Sequence, residues 1–480
     1  MASNKALNAK NLEALGPKRL AELLIEISTG KSGARRLLRL ELAGAEGTPE
    51  LAREVRHRLT TIGRSRGTLE LQKIRELKDD LQILRKVIAG RLATADAVAA
   101  FDLIWQYMGI ANSTLDRCHD CAGSVVDVFR AAADLGDIAR AAGPDPHELA
   151  DRAFEALTQN AHGQCNGLIG ALAPALAQQG LERLKQRMIE LSNTPLAQLP
   201  EAYRPKPPWP FSEMADEDET ADRRRLRIAR AALKDIADAQ GDVDAFIDQH
   251  DDHDRKRPKV ATGIACRLLA AGRAEEALKV TEAAEYDDGV NPAWLDYQLE
   301  DARIDALDAL GRSDEAQELR RSCFEHSLSA PHLRAYLKGF PDFDDIEAEE
   351  KALDHVQRFH NRHTALSFLV SWPALDRASA LVIEEARDLA GVFHEILTPA
   401  ADALAARHPL ASTLVLRAMI DFTLSQRESA RYKHAARHLL ECSSLSPAIR
   451  DFGTFETHEA YEARLRREYD REPSFWELVA

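Results

Sequence analysis

The chain has 480 residues, of which 45% are hydrophobic and 29% charged, as in folded globular proteins rather than disordered ones. Its formal net charge of −15 argues against general nucleic-acid binding, and no apolar run approaches the roughly 18 residues of a membrane span. Because the six cysteines are scattered and the first residues lack an apolar signal core, we expect a cytoplasmic protein with free thiols.

The first 192 residues predict a helical domain. Apolar residues recur at three- and four-residue spacing from Leu20 to Ile27, and a second amphipathic pattern runs over residues 68–89. This spacing places the apolar side chains of each segment on one face of a helix. Turn signals then separate further predicted helices, which span residues 95–111, 122–140, 146–160, 164–176 and 179–192.

Residues 193–222 interrupt the helical pattern. Six prolines lie between Pro195 and Pro210, and an acidic run over residues 216–219 follows them. Prolines at this density exclude a continuous helix. We therefore predict a linker or an extended strap here, which joins an N-terminal helical domain (residues 1–192) to a C-terminal one (residues 223–480).

The predicted C-terminal domain contains a repeated segment. Residues 272–277 read Gly-Arg-Ala-Glu-Glu-Ala, and 39 residues later residues 311–316 read Gly-Arg-Ser-Asp-Glu-Ala. Each copy follows an alanine-rich apolar segment and precedes an amphipathic one, a pattern typical of helical hairpins that stack on one another. Since strand-like alternation is missing as well, the sequence predicts an all-α fold of tetratricopeptide-like helical-hairpin repeats that form an α-solenoid.

Several segments resemble an uncharacterised family of bacterial all-helical proteins, known only as a domain of unknown function. They are Asn11–Gly16, Leu20–Leu24, Phe324–Ala330, Leu333–Leu337 and Phe340–Glu350. The stretch from His408 through Tyr432 to Trp476 is similar to the helical tail found beside some zinc-finger proteins of the SWIM type. The resemblance covers most of the chain and implies a helical fold, but it implies no activity, and the Cys/His pattern of a SWIM finger is missing.

Cys118, Cys121, His162 and Cys165 form the candidate metal site. The CxxC pair and the HxxC pair supply the thiolate and imidazole ligands that a tetrahedral zinc ion takes. The two pairs lie on different predicted helices, which a helical hairpin would have to bring together. Buried thiols with a histidine at a helix end are the favoured interpretation. A zinc protein, or an enzyme that uses this set, is the alternative.

Three other patterns resemble chemical sites but have simpler structural interpretations. His250–Asp254 clusters imidazole and carboxylate groups, yet the basic residues 255–257 that follow oppose a bound cation. Residues 63–67 match GxSxG without the preceding strand that a nucleophile elbow needs. The acidic patch from Asp342 to Glu350 suits a helix start, where negative charge interacts favourably with the helix dipole.

The N-terminal segment is basic although the whole chain is acidic. Residues 1–91 carry 19 Lys and Arg against 11 Asp and Glu, a net charge of +8, which leaves −23 for the remaining residues. Arg53, Arg56, Arg58, Arg64 and Arg66 lie here and are candidates for contacts with phosphates. Because no aromatic residue that could stack on a base lies between positions 1 and 100, a solvated surface is favoured, and nucleic-acid binding is the second alternative.

These patterns include no coherent set of catalytic residues. The sequence therefore predicts a non-catalytic helical-repeat scaffold that binds a protein or peptide partner. It predicts no cofactor other than the zinc ion of the alternative, and no membrane association.

Overall fold

The computed structural model describes residues 7–118, 122–195, 221–285, 297–341 and 343–479, and every regular element in these ranges is a helix. The described part of the chain contains no strand, which confirms the predicted all-α class. Within the same ranges, no helix has both the length and the apolar character needed to cross a bilayer. The predicted linker lies largely outside the described residues, which omit positions 196–220.

The chain divides into two compact units, residues 1–253 and residues 254–480. The sequence predicts a second domain that starts at residue 223, whereas the helix Ala221–Gln240 belongs to the first unit. This helix packs along the helix Leu168–Asn193, and its Ala229, Ala232 and Ile236 join the core of the first unit. An amphipathic helix beside a linker can pack on either side of it, so its own pattern does not identify the unit it joins.

The helices of the first unit are mostly short. Within the described residues they are α1 Ala9–Glu13, α2 Pro17–Ser28, α3 Ser32–Glu46, α4 Thr48–Arg64, α5 Leu71–Lys86, α6 Ala93–Ala95, α7 Ala97–Gly109, α8 Ala111–Leu115, α9 Ala122–Phe129, α10 Ala132–Ala142, α11 Pro146–Thr158, α12 Leu168–Asn193, α13 Ala221–Gln240 and α14 Val243–Ile247. A π-helical segment, Val87–Leu92, joins α5 to α6.

The helix α4 shows how sequence periodicity builds this unit. Pro49 lies in its first turn, where the missing N–H costs nothing. Leu51, Val55, Leu59 and Ile62 then recur at three- and four-residue spacing and are all buried in the core. The apolar face therefore points inward, and the arginines of α4 lie on or near the surface.

The helix α12 is broken near its middle. Ala177 has a φ of 50°, in the left-handed region that alanine seldom adopts, so the run Leu168–Asn193 consists of two helical pieces. The sequence predicts such a division, with helices at residues 164–176 and 179–192. The first piece crosses α10 so closely that a Cβ atom on Gly136 would lie 2.4 Å from the carbonyl oxygen of Ala171.

The second unit is a longer series of helices. Within the described residues they are α15 Asp252–Lys256, which spans the unit boundary, α16 Pro258–Ala270, α17 Ala274–Glu282, α18 Gln298–Ala309, α19 Ser313–Ser327, α20 Ala330–Leu337, α21 Asp344–Arg358, α22 Arg362–Ser371, α23 Leu375–Glu385, α24 His394–Leu404, α25 Pro409–Ser425, α26 Tyr432–Leu445, α27 His458–Glu468 and α28 Pro473–Val479. Two 3₁₀ turns, Ser429–Arg431 and Ser446–Ala448, flank α26.

The two copies of the repeated segment form hairpins with the same turn. Gly272 and Gly311 have φ values of 74° and 72°, a conformation that glycine adopts without steric cost. Arg273 and Arg312, which follow them, each donate a backbone N–H five residues back, to Leu268 and Leu307. Each arginine side chain also pairs with a glutamate three residues ahead. The repeat in sequence is thus a repeat in local structure.

The second half of this unit has its own hydrophobic core. It includes apolar residues of α22 to α26 and closes on the last helix, α28, where Phe475 is buried with its ring 5.8 Å from that of Tyr432. Trp476 donates its indole N–H to the carbonyl oxygen of Tyr469 at 3.0 Å. The aromatic pair near the C-terminus therefore packs onto this core.

Candidate functional site

Three members of the predicted zinc set lie in described parts of the first unit, and Cys121 lies outside them. Cys118 is buried and its thiol donates to the carbonyl oxygen of Thr114 at 3.4 Å. Cys165 is buried, and burial raises the pKa of its thiol to about 12. His162 places Nε2 3.4 Å from a carboxylate oxygen of Asp116.

These three side chains are not gathered for one metal ion. The ligand atoms of Cys118, His162 and Cys165 do not all lie within 4.8 Å of one another. Because Cys121 is not described, the four-ligand site stays a prediction.

Amide side chains anchor the loop that carries His162 and Cys165. Gln164, which is buried, donates to the side-chain oxygen of Asn112 at 3.0 Å, and Asn112 donates to the carbonyl oxygen of Gln159 at 2.7 Å. The backbone N–H of Cys165 donates to the side chain of Asn160 at 2.9 Å. These contacts give the residues of this loop a structural role that requires no metal.

The predicted basic cluster has two kinds of arginine. Arg58 lies against the buried carboxylate of Asp80, with Nε and Nη2 at 2.8 and 2.5 Å from the same oxygen, and Arg53 pairs with Glu50 at 2.6 Å. Arg56, Arg64 and Arg66 are exposed. Arg58 therefore serves the core, and the exposed members keep the nucleic-acid alternative as a prediction.

Asp80 is the centre of a small charged cavity. Arg36 contacts its second oxygen at 2.6 Å, and burial lowers the pKa of this arginine. The cavity has a volume of about 190 Å³, and Lys73 and Arg117 also line it. Arg117 already donates to the carbonyl oxygen of Gly67 at 3.0 Å. Most of the positive charge here is thus engaged in holding the unit together.

The pattern around His250 does not present its buried histidine to a cation. Nδ1 of His250 lies 3.5 Å from the ammonium group of Lys234, and its ring packs 5.3 Å from that of Phe246. A neighbouring ammonium group opposes a metal at this imidazole. His253 and Asp251 are exposed.

Sequence reasoning missed a cleft that several charged residues line. It lies in the second unit, where the loop before α24, the helix α25 and the segment that leads into α27 enclose a volume of about 610 Å³. Gly391 brings the loop so close that a Cβ atom there would lie 2.0 Å from the carbonyl oxygen of Ala418. The loop and α25, which form two walls of the cleft, are therefore in close backbone contact.

Arg417 is the central charged group of this cleft. It is 5% exposed, and burial lowers the pKa of its guanidinium. Its Nη1 donates to the carbonyl oxygen of Glu456 at 2.8 Å, and its guanidinium carbon lies 4.4 Å from the ring centre of Tyr461. Its Nε and Nη2 are buried without a hydrogen-bond partner in the described structure.

A network of acidic and basic groups lies beside Arg417. The hydroxyl of Tyr461 donates to Asp421 at 3.0 Å, and Arg464 donates to the same carboxylate at 3.1 Å. Arg464 also contacts Glu456 and Glu468 at 3.1 and 3.2 Å. Burial raises the pKa of Asp421, an effect that Arg464 opposes. Arg464 is thus fully engaged, whereas Arg417 is not.

The sequence signal for this cleft is a single arginine in an apolar helix. In α25, the residues from Leu414 to Ile420 are apolar except for Arg417. Arginine is seldom fully buried without a partner, so its position in such a run marks a functional or structural exception. The partners come from residues 421, 456 and 461, and spacing along the chain does not show that they meet.

The first unit also has an uncovered apolar surface, formed by the helices α2 and α3. Between residues 7 and 50, only Ser28 and Leu40 are buried among the side chains that the structure describes. In α2, Leu24, Ile25 and Ile27 are 48%, 68% and 57% exposed. We call α2 and α3 together the N-terminal apolar surface.

Residues 2–478 match the sequence pattern of a family of unknown function, DUF6880. The chain belongs to this family. No curated protein matches it at a significant level. Membership in DUF6880 extends over both units and agrees with the resemblance to a domain of unknown function, and it assigns no activity to either candidate surface.

Proposed function

We propose that this DUF6880 protein is a non-catalytic helical-repeat scaffold that binds a protein or peptide partner. The observation that carries the proposal is the N-terminal apolar surface. Five of the sixteen large hydrophobic side chains that are exposed in the described residues lie on α2 and α3, namely Leu24, Ile25, Ile27, Leu37 and Leu42. A concentration of exposed apolar side chains of this kind marks an interaction surface in folded proteins.

The helix α2 has an apolar stripe that α3 covers only in part. It has 12 residues, and helices of fewer than about 12–15 residues are marginal in water without tertiary packing. Leu20 and Leu23 are half-buried, and α2 packs on α3, but Leu24 and Ile27 continue the same stripe into solvent. A partner that covers this stripe would complete its packing.

The arrangement of helices in the second unit supports the scaffold part of the proposal. The helix α16 packs on both α17 and α18, and α18 packs on α19. Farther along, α22 packs on α23 and α24, and α23 packs on α25. Contacts with the next and next-but-one helix are what stacked tetratricopeptide-like hairpins of an α-solenoid would make.

The perturbed thiols are poor candidates for catalytic nucleophiles. Burial raises the pKa of the Cys165, Cys323 and Cys442 thiols to about 12, away from the thiolate that a nucleophile requires. Burial likewise raises the pKa of Tyr461. Catalytic groups are usually shifted towards the operating pH, and these are shifted away from it.

Affinity capture with a variant of the N-terminal apolar surface tests the proposal. The tagged full-length chain is compared with the double variant Leu24→Ser and Ile27→Ser in a lysate of the native organism. A matched control replaces Glu22 and Glu26, which are exposed on the same helix, by serine. We expect a partner that the wild type and the control enrich and the apolar variant loses. Equal enrichment by all three proteins would contradict the proposal.

The remaining parts of the proposal concern the setting of the protein. We place it in the cytoplasm because its six cysteines are scattered, as in proteins of reducing compartments. A bacterial origin and a likeness of the segment after His408 to the tails of SWIM-type proteins rest on the sequence resemblance alone. Fractionation of the native cells, followed by immunoblotting, would show in which compartment the protein lies.

A further inference from the structure

Arg417 has a hydrogen-bonding edge that nothing in the described part of the chain satisfies. Nη1 donates to the carbonyl oxygen of Glu456, whereas Nε and Nη2 are buried without a partner. These two nitrogens form the side-on edge of the guanidinium, and their parallel N–H groups match the two oxygens of a carboxylate. Because a buried charged donor is costly to leave unpaired, a ligand that pairs with this edge would bind favourably.

The other contacts of this guanidinium fix its orientation. Its central carbon lies 4.4 Å from the ring centre of Tyr461 and 5.8 Å from that of Phe452. Both distances are within the range of a cation–π interaction. With Nη1 bonded and two aromatic rings beside the guanidinium, the unpaired edge is held in place before any ligand arrives, which lowers the entropic cost of binding.

The charges that line the cleft favour a single negative charge on the ligand. Arg464 is engaged by three carboxylates, so it adds little attraction. Arg387 lines the cleft, is exposed, and forms no ion pair within the described residues. Asp421 and Glu456 also line the cleft and would repel a doubly charged group such as phosphate.

Most of the remaining lining is apolar, and Ser425 and Thr454 are its polar members. Leu389, Leu414, Phe422 and Phe455 contribute to the walls. A volume of about 610 Å³ is within the usual range of small-molecule pockets and is larger than a carboxylate alone would fill. A ligand that matches both the charged and the apolar residues of the lining has one carboxylate and an apolar body.

We propose that this cleft binds a monocarboxylate with an apolar substituent, whose two oxygens pair with Nε and Nη2 of Arg417 while Arg387 attracts it at the entrance. The ligand is either a free organic acid or the free chain end of a peptide with an apolar last residue. The site lies in the second unit and does not involve the N-terminal apolar surface, so it stands or falls independently of the proposed function.

Titration of the full-length protein with small probes tests this proposal. Binding of hexanoate, hexanamide and inorganic phosphate is measured by ligand-observed NMR and calorimetry. We expect saturable binding of hexanoate, with hexanamide and phosphate weaker by at least about tenfold, as for the loss of a charge-assisted hydrogen bond. No binding of hexanoate, or equal binding of hexanamide or phosphate, would overturn the proposal.

Three variants locate the binding site. Arg417→Lys keeps the charge but lacks the bidentate edge, and we expect hexanoate to bind at least about tenfold more weakly. Arg387→Gln changes an exposed side chain, so it keeps the fold, and we expect binding to weaken by about threefold. Arg407 is exposed and lies outside the cleft lining, so Arg407→Gln should leave binding unchanged.

The variants keep the proposal falsifiable even if one of them misfolds. Wild-type affinity in a folded Arg417→Lys protein would overturn it. If circular dichroism shows that Arg417→Lys does not fold, Arg387→Gln decides, and unchanged binding by that variant, or an equal loss in Arg407→Gln, overturns the proposal.

A peptide pair distinguishes the two sources of the carboxylate. A hexapeptide that ends in leucine is prepared with a free and with an amidated C-terminus. If the free peptide binds at least tenfold more tightly than hexanoate, the ligand is a chain end, and if it binds more weakly, the ligand is a small acid. Equal binding of the amidated and free peptides by this cleft would contradict a carboxylate ligand.

Discussion

Buried charge takes two different forms in this protein at the scale of single residues. Asp80 is 4% exposed, and two arginines neutralise it from the same unit. Arg417 is 5% exposed and has one neutral acceptor for its five N–H groups. The charge of Asp80 is balanced by its neighbours, and this arrangement stabilises the fold. Arg417 keeps unpaired N–H donors that a ligand can use.

The stability of the first unit should depend on Asp80. Asp80→Asn removes the charge that Arg36 and Arg58 share, which leaves two partly buried cations uncompensated. We expect a loss of about 3 kcal/mol in the free energy of unfolding, as when one partner of a buried ion pair is removed. Urea unfolding followed by circular dichroism measures it.

The exposed pair Glu50–Arg53 provides the control for Asp80. Its glutamate and arginine side chains are 33% and 77% exposed. Glu50→Gln should therefore change the free energy of unfolding by at most about 0.5 kcal/mol. If Asp80→Asn and Glu50→Gln lower the free energy of unfolding by similar amounts, the buried ion pairs of Asp80 stabilise the protein no more than an exposed pair does.

The cysteines should differ sharply in reactivity. Cys266 is exposed, whereas Cys165 and Cys442 are buried with a pKa of about 12, raised from 9.0 by burial. A rise of this size lowers the thiolate fraction at pH 8 by roughly 1000-fold, and burial blocks access further. In peptide mass spectrometry after brief iodoacetamide treatment, we expect labelling of Cys266 alone among these three.

The labelling experiment has a clear contradictory outcome. Addition of urea should make all three thiols react, because unfolding returns their pKa to ordinary values. Labelling of Cys165 at the rate of Cys266 in the native protein would show that its loop opens readily, which would contradict the burial of this thiol.

The sequence predicted residue types better than residue partners. It identified Arg58 as a candidate for phosphate contacts, but the structure uses Arg58 to neutralise Asp80, 22 residues away. It passed over Arg417, whose neighbours come from α25 and from residues 452–461. Pairing across helices depends on how helices cross, and periodicity within one helix carries no information about it.

At the scale of elements, short-range signals predicted most of what the structure shows. Gly272 and Gly311 end α16 and α18 with the same positive-φ turn because only glycine adopts it without strain. The break at Ala177 falls between the two helices that the sequence predicts. The packing of α13 with the first unit was not predicted, because the pattern within a helix does not show which apolar surface that helix contacts.

The crossing of α10 and α12 should be sensitive to a single methyl group. A Cβ atom on Gly136 would lie 2.4 Å from the carbonyl oxygen of Ala171, which the backbone cannot avoid without moving. We expect Gly136→Ala to lower the free energy of unfolding by about 2–3 kcal/mol. Thermal unfolding of the variant and the wild type measures the loss.

Gly170 gives a matched control on the helix that Gly136 crosses. Nothing lies within 4 Å of a Cβ atom added there, and Gly170 is exposed within α12. Gly170→Ala should therefore stabilise the protein by about 0.5–1 kcal/mol, because alanine loses less backbone entropy in a helix. Equal effects of the two substitutions would contradict the close crossing.

At the scale of the whole molecule, the two units should fold separately. The core of the first unit draws on residues from Leu40 to Ile236, and the core at the C-terminal end draws on residues from Phe324 to Phe475. Neither core shares a residue with the other unit. Produced alone, residues 1–253 and residues 254–480 should each give a helical spectrum and a cooperative melt, and a fragment that melts without cooperativity would contradict the division.

The proposed function is tested most directly by crosslinking at the N-terminal apolar surface. A photoreactive phenylalanine analogue replaces Leu24 in one protein and Glu22, on the opposite face of α2, in another, and each is irradiated in living cells. We expect a specific adduct of higher mass from position 24 and none from position 22. No adduct at either position, or the same adducts at both, would contradict a partner on this surface.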